Sequence, residues 1–289
     1  MMSKVIVGLT IFVTFLRFSL SSGNYRIVNG NYASAKQFPY QIFFDTLDLS
    51  NLSAPIKWQP TCGGTIISKR VILTAAHCLD NPNIYAIKIY FGAVNKSDDK
   101  EVGQQRLTVR RDHFVIHEKY ISYVPYKPAL VVNDVALIKL PIALLFDDYI
   151  RPAQLPDPKM QYEGGEVTVS GWGAEHVFSK EYKLGTNLKY FNAPLLSNGE
   201  CQNRHVRYYG GIVFPSTLLC LAPGENMMCS GDSGGPLVIK HESNYVLLGV
   251  ASYIMYTDIP CTPHYPAVYN RVTSYLKWIH DNAGSHNLA

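Results

Sequence analysis

Short apolar runs recur along this chain, and each is bounded by Gly, Pro, Asn or Asp. Many short strands separated by such turn residues predict an all-β sandwich or barrel. Long helical patterns do not alternate with these runs, which disfavours a parallel α/β sheet. The clearest predicted strands lie at Gln41–Phe44, Gly64–Ile67, Ile87–Phe91, Val135–Leu140, Glu166–Ser170, Pro236–Ile239, Tyr245–Ser252 and Ala267–Asn270.

The last segment has a different period. Val272, Tyr275, Leu276 and Ile279 occupy the i, i+3, i+4 and i+7 positions of an amphipathic helix. We expect this helix to pack one face on the body of the protein and to leave its polar positions in water.

A chain of 289 residues can form one large or two medium domains. The stretch Phe146–Pro158 contains three prolines and three aspartates among loop-like residues. It is therefore the best candidate for a connection between two domains.

The amino terminus indicates secretion. An apolar run, Val5–Leu16, follows Lys4 and precedes small residues, and it is shorter than the roughly 20 apolar residues that span a membrane. This pattern is typical of a signal peptide, which we place at residues 1–22 with a cleavage site between Ser19 and Gly23. We expect no membrane span and an extracellular protein.

Composition adds the class and the redox state. The 47% of hydrophobic and 17% of charged residues are typical of a globular protein, and the net charge of +4 without a basic run predicts no nucleic-acid partner. Six cysteines in a secreted chain favour disulfides, of which the sequence alone allows 15 sets of pairs. The sequons at Asn51 and Asn95 are candidate glycosylation sites.

Three motifs carry candidate chemistry. A serine hydroxyl becomes nucleophilic when a neighbouring base takes its proton, and Ser233 in GDSGG is the candidate nucleophile. His77 in TAAHC can act as that base, and Asp134 in NDVALIKL can orient the imidazole. Taken singly, His77 could be a structural histidine and Asp134 a turn residue. The Gly231 turn would aim its own N–H and that of Ser233 at one point, which forms an oxyanion hole.

These motifs resemble those of the chymotrypsin-like serine endopeptidases, which have the trypsin fold. The likeness spans Ile27 to about Asn282 and includes IVNG at Ile27–Gly30. It implies two perpendicular antiparallel six-stranded β-barrels and a short C-terminal helix. The peptidase domain would cover residues 27–289, with the first barrel at 27–145, the second at 146–271 and the helix at 272–283.

The resemblance also assigns roles. His77 and Asp134 would come from the first barrel and Ser233 from the second, with the site in the cleft between them. The implied disulfides are Cys62–Cys78, Cys201–Cys220 and Cys229–Cys261.

An inactive precursor is a further implication. Cleavage after Arg26 would free the α-amino group of Ile27, which would pair with Asp232, and residues 23–26 would be a short activation peptide. Arg26 before Ile27 suits a trypsin-like activating protease. Because Asp232 would raise the pKa of the amine, activity should be lost as pH rises through that pKa, and His77 should limit activity at acid pH.

Alignment of the motifs places the primary specificity pocket. Its floor would be Met227, where tryptic members have an aspartate, so a bound Lys or Arg side chain would lack a counter-ion. Ile254 should obstruct the mouth and Ala267 should narrow the interior. We expect cleavage after small or medium apolar residues, with large aromatic residues as the next possibility. Ser252, Tyr253 and Ile254 should pair with the substrate backbone.

No metal or other cofactor is expected. His113 and His117 lie in a strand-like stretch, Leu107–Ile116 and the residue after it, which would place them about 13 Å apart. Ala93 stands where calcium-binding relatives have a carboxylate.

The leading interpretation is a secreted serine endopeptidase that acts on proteins or peptides, is a monomer and is open to protein inhibitors. Its role could be digestive or within a proteolytic cascade. A non-catalytic homologue that binds partners is the alternative from another class, although no triad residue is missing. A small disulfide-stapled inhibitor or toxin is disfavoured because six cysteines are sparse for this length.

Overall fold

The computed structural model describes residues 30–50, 53, 55–122, 131–160, 162, 165–174, 184–209, 213–254, 261 and 265–284. Within them the chain is mostly β, with two curled antiparallel sheets. The strands of the first half are β2 Gln41–Asp48, β3 Trp58–Ser68, β4 Val71–Thr74, β5 Ile84–Phe91, β6 Gln105–Arg110, β7 Phe114–Ile116 and β8 Ala136–Lys139. The remaining strands are β1 Asn31–Tyr32, β9 Glu166–Gly171, β10 Lys189–Pro194, β11 Leu218–Leu221, β12 Pro236–His241, β13 Asn244–Ile254 and β14 Ala267–Arg271.

Each sheet has seven strands among the described residues, so the expected six was wrong. The first sheet has the order β6-β5-β2-β3-β4-β8-β7, and the second has the order β1-β10-β9-β12-β13-β14-β11. In the first sheet a 3-10 turn at Arg111–His113 divides the predicted strand-like stretch into β6, which pairs with β5, and β7, which pairs with β8. In the second sheet the early residues Asn31–Tyr32 add a short strand beside β10.

Two α-helices accompany the sheets among the residues that the structure describes. The C-terminal segment forms a 3-10 turn, Val272–Tyr275, followed by α2, Leu276–Ala283, as the apolar spacing predicts. The helix α1, Asn198–Tyr209, was not predicted. The sequence does contain a typical helix start, namely Ser197 with Glu200 three residues later. In the structure Ser197 Oγ accepts a hydrogen bond from the N–H of Glu200 at 3.2 Å, as an N-cap does. No helix in the described part of the chain has the length and apolar character to cross a bilayer.

The largest hydrophobic core joins the two halves. Most of its residues come from the first sheet, but Trp172, Val238 and Leu247 of the second half lie in the same cluster. The C-terminal helix adds Ile279 and Ala283, both fully buried. The two sheets therefore share apolar packing, and the residues between them are held from both sides.

Candidate active site

His77 and Asp134 meet at the ends of paired strands. His77 lies in the 3-10 turn Ala76–Cys78 that follows β4, and Asp134 lies just before β8. Thr74 of β4 pairs with Ala136 of β8, which brings the two residues together. His77 Nδ1 is 2.8 Å from Asp134 Oδ2, and the main-chain N–H of His77 donates to Oδ1 at 2.9 Å. With its Nδ1 proton held by the carboxylate, the imidazole can accept a proton at Nε2.

The second sheet holds Asp134 in place. Ser252 Oγ donates to Asp134 Oδ2 at 2.5 Å, and Asn270 Nδ2 donates to the main-chain oxygen of Asp134 at 2.7 Å. The register of β13 against β14 shifts between Ala251 and Tyr253, which leaves Ser252 at a bulge. A bulge re-aims a side chain, and here it turns the hydroxyl toward the buried carboxylate. No local sequence pattern indicates these two roles, which depend on contacts between distant strands.

The environment of His77 favours a basic imidazole. Burial lowers the pKa of His77, but the charge and hydrogen bond of Asp134 and the charge of Asp80 together outweigh burial, so the pKa is raised. Asp80 is exposed on the segment just after His77 and was not predicted as a site residue. The structure therefore places a second carboxylate within electrostatic reach of the imidazole.

The turn around Ser233 presents two backbone donors. Gly231 has a φ of 96°, in the left-handed region that favours glycine, and a Cβ there would lie 2.6 Å from Leu184 Cδ2. Neither Gly231 N nor Ser233 N donates to another described backbone group, although their neighbours Asp232 and Gly235 both do. Two such N–H groups in one tight turn can stabilise a developing oxyanion.

The same turn lies against the strand that leads to His77. The N–H of Gly63 donates to Ser233 O at 2.8 Å. A Cβ at Gly234 would lie 2.2 Å from Thr74 Oγ1, three residues before His77. His77 is hydrogen-bonded to Asp134. Among the described contacts there is no hydrogen bond between Ser233 Oγ and His77, although the turn that carries Ser233 packs against Gly63 and Thr74. Such bonds are often long in a free enzyme and tighten when substrate binds.

Asp232 points into the protein interior. Its carboxylate accepts the N–H of Gly173 at 2.7 Å and the N–H of Cys229 at 2.9 Å. Burial raises the pKa of Asp232 to about 6, although these two hydrogen bonds lower it. The two hydrogen bonds therefore do not fully offset the cost of burying the negative charge of Asp232, and a nearby cation would stabilise the ionised carboxylate.

The residues of the predicted specificity pocket come together in part. Met227 and Ala267 are buried and line one small cavity of about 10 Å³, whose described lining contains no carboxylate. Ile254 packs against the cluster that contains Met227. Tyr253 instead packs on the apolar cluster around Leu218. Much of the segment between Ile254 and Ala267 lies outside the described residues, so the width of the pocket stays a prediction.

Covalent and metal-related features can also be located. The disulfides join Cys62 to Cys78, Cys201 to Cys220 and Cys229 to Cys261. In the described part of the chain, the one cluster of potential metal ligands is formed by Cys62, His77 and Cys78, whose sulfurs are bonded to each other and cannot act as thiolates.

The two histidines that were set aside as metal ligands and the predicted modification and activation residues lie as follows. His113 lies in the 3-10 turn and not in a strand, while His117 stacks on Trp278 at 4.9 Å. Asn95 is half-buried, and its Oδ1 accepts the N–H of Ser97 at 3.0 Å. Arg26, Ile27 and Asn51 lie outside the described residues, as do the signal and activation peptides.

Comparisons with known proteins agree with this geometry. The family model described as Trypsin matches residues 27–279. A chymotrypsin of Phaedon cochleariae is 34% identical over 88% of this chain and 80% of its own length. Bovine chymotrypsin-C is 32% identical over 94% of this chain and 97% of its own length. Trypsin beta of Drosophila erecta is 32% identical over 89% of this chain and 88% of its own length.

Proposed function

This chain belongs to the trypsin family and is a serine endopeptidase. From that premise we propose that it is secreted as a precursor and activated by cleavage after Arg26. We propose further that the active enzyme cleaves bonds that follow small or medium apolar residues. The observation that supports the catalytic part best is the 2.8 Å contact between His77 Nδ1 and Asp134 Oδ2 beside the Ser233 turn.

In the proposed mechanism, Ser233 Oγ attacks the carbonyl carbon of the scissile peptide while His77 Nε2 takes its proton. Asp134 stabilises the imidazolium that forms, and the N–H groups of Gly231 and Ser233 bind the oxyanion. His77 then gives the proton to the leaving amine, which breaks the peptide bond and leaves an acyl-serine. Water attacks this ester with His77 again as base, and the carboxylic acid product and free Ser233 are released.

Asp134 contributes through its position. Its main-chain oxygen and its carboxylate are both fixed by the second sheet, and the carboxylate also accepts two hydrogen bonds from His77. A carboxylate with this many donors has little freedom to turn, so the imidazole is held ready for proton transfer.

The proposed specificity rests on the described lining around Met227, which contains no charged side chain. A Lys or Arg side chain beside Met227 and Ala267 would be buried without an anion, at a cost of several kcal/mol. Ile254 packs next to Met227 and would limit large side chains. Relatives named chymotrypsin and trypsin both match this chain, so their names do not decide between substrates.

Precursor activation rests on Asp232. The carboxylate is buried against Gly173 and its pKa is raised, so a new cation nearby would be favourable. The α-amino group of Ile27, freed by a trypsin-like protease, would supply that cation and fix the Gly231–Ser233 turn. Three disulfides suit an extracellular location, where protein substrates and protein inhibitors would be met.

The test compares two forms of one protein. Precursor with Arg26→Gln and wild-type protein processed after Arg26 are each titrated with an acylating active-site reagent, and Ser233→Ala serves as the blank. We expect stoichiometric acylation of the processed form alone, followed by cleavage after apolar residues in a peptide library. Equal acylation of both forms would refute activation by cleavage after Arg26. If neither form were acylated, the alternative of a non-catalytic binding protein would be favoured. Cleavage mainly after Arg in the peptide library would refute the pocket assignment.

A further inference from the structure

The loop that follows β5 is fastened to the part of the second half that encloses Asp232. The main-chain oxygen of Val94 accepts the Trp172 indole N–H at 3.0 Å and the N–H of Leu188 at 2.7 Å. The N–H of Lys96 donates to Thr186 O at 3.0 Å. These three bonds fix the backbone on both sides of residue 95 and therefore fix where the Lys96 side chain begins.

The ammonium of Lys96 enters the interior. Its Nζ atom is buried and lies 3.8 Å from the centroid of the Phe43 ring. Phe43 meets Trp172 edge-on, with ring centroids 5.8 Å apart. An aromatic face offsets part of the cost of burying a cation, but a full charge in such a place also favours a nearby anion.

Asp232 is a carboxylate in that neighbourhood. Trp172 lies between Gly171 and Gly173, and a Cβ on either glycine would come within 2.0 to 2.1 Å of a carboxylate oxygen of Asp232. The backbone that carries the Trp172 indole is thus part of the wall around Asp232. The charge of Lys96 lowers the pKa of Asp232, in opposition to burial, which raises it.

We propose that Lys96 is a positioning residue for the oxyanion hole, because its buried ammonium is a built-in counter-charge for Asp232 that is present before the Ile27 amine is freed. This inference rests on the proposed activation after Arg26. In the precursor, Lys96 keeps a fraction of the molecules with Asp232 ionised. In that fraction the Gly231–Ser233 turn can adopt the conformation that forms the oxyanion hole. In the processed enzyme, two cations share one carboxylate, and Lys96 therefore lowers the pKa of the Ile27 amine.

The other titratable groups that the structure describes beside Asp232 and Lys96 are neutral or bound elsewhere. Among the described residues, Tyr269 also faces Asp232, but burial raises its pKa well above the usual value and the phenol stays neutral. Glu101 binds the N–H groups of Val94 and Asn95 at 2.9 to 3.1 Å and closes the loop backbone. Arg106 reaches only the main-chain oxygen of Lys96, at 3.4 Å, and is exposed.

The experiment uses the full chain with Lys96→Met, which keeps the length of the side chain and removes its charge. The matched control is Lys88→Met, because Lys88 also lies over an aromatic ring, Trp58 at 4.6 Å, but on strand β5 and not in the loop that follows it. In the processed enzyme we expect Lys96→Met to move the alkaline limb of kcat/KM about 0.5 to 1 pH unit upward. Lys96→Arg should keep the wild-type limb, and Lys88→Met should not move it.

The precursor gives an independent reading. With Arg26→Gln in place, Lys96→Met should lower basal acylation several-fold near pH 6, where Asp232 titrates. An alkaline limb that is unmoved or moves to lower pH in Lys96→Met would overturn the proposal, and Lys96→Gln makes the same comparison if the methionine variant does not fold. Equal activity of the Arg26→Gln precursor and the processed enzyme would instead refute activation itself, whatever Lys96 does.

Discussion

The pH dependence of precursor stability follows from Asp232. In the folded precursor its pKa is raised by burial from 3.8 to about 6. As pH rises between these values, the unfolded chain releases the proton while the folded chain still holds it, so the free energy of unfolding falls. One pKa unit corresponds to about 1.4 kcal/mol, and the shift therefore costs the precursor about 3 kcal/mol at neutral pH.

The measurement is a set of urea unfolding curves at several pH values from 4 to 7. Precursor with Arg26→Gln is compared with the same precursor carrying Asp232→Asn, so that all other carboxyl groups cancel. The asparagine variant loses one acceptor for the N–H groups of Gly173 and Cys229, which shifts its curve by a constant. Over this pH range the difference between the two stabilities should change by about 2.4 kcal/mol, to the disadvantage of the aspartate, as pH rises.

Parallel stability curves for the two precursors, or a difference that changes in the opposite direction, would refute the reasoning. Processed wild-type enzyme supplies a second comparison, since the Ile27 amine should recover much of this free energy. Cleavage after Arg26 would then stabilise the protein at neutral pH as well as activate it.

Three further predictions concern catalysis. Asp134→Asn should reduce kcat by about 10⁴-fold, as expected for a triad whose histidine has lost its orienting carboxylate, and retention of more than a tenth of the activity would contradict the assigned role. Asp80→Asn should lower the pKa of His77, because the charge of Asp80 raises that pKa. Since activity requires the neutral imidazole, the acid limb of kcat/KM should move to lower pH with little change at the plateau. An unmoved limb in the pH–rate profile would count against this role of Asp80. Gly231→Ala should reduce kcat about 10²-fold or more, because Gly231 has a positive φ and a Cβ there would have no room beside Leu184. The control is Gly199→Ala, where a Cβ meets no other atom, and this variant should keep full activity.

Much of the fold was accessible from local pattern. Strand cores such as Gln41–Phe44 and Ala267–Asn270 were found because turn residues bound them, and the observed strands extend them by a few residues. The C-terminal helix was found from its apolar period. Helix α1 was not, because Asn198–Tyr209 is polar and lacks a strong apolar stripe.

The site was accessible where a motif and a strand end coincide. His77 and Asp134 follow and precede paired strands, so their contact depends on β4 and β8 alone. The alternative of a turn at Asn133–Asp134 was not wrong either, since Asn133 has a φ of 53° and Asp134 still reaches the histidine. Ser252, Asn270 and Lys96 act through contacts between segments far apart in sequence, which no local pattern carries.

The shared hydrophobic core has a consequence for biosynthesis. Trp172, Val238, Leu247 and the last helical turn, with Ile279 and Ala283, complete the cluster begun by the first sheet. A nascent chain that has released only its first half from the ribosome therefore lacks the side chains that seal its interior, and it must wait for the final residues before it can close. The disulfide between Cys62 and Cys78 can form during that wait, since both cysteines emerge early.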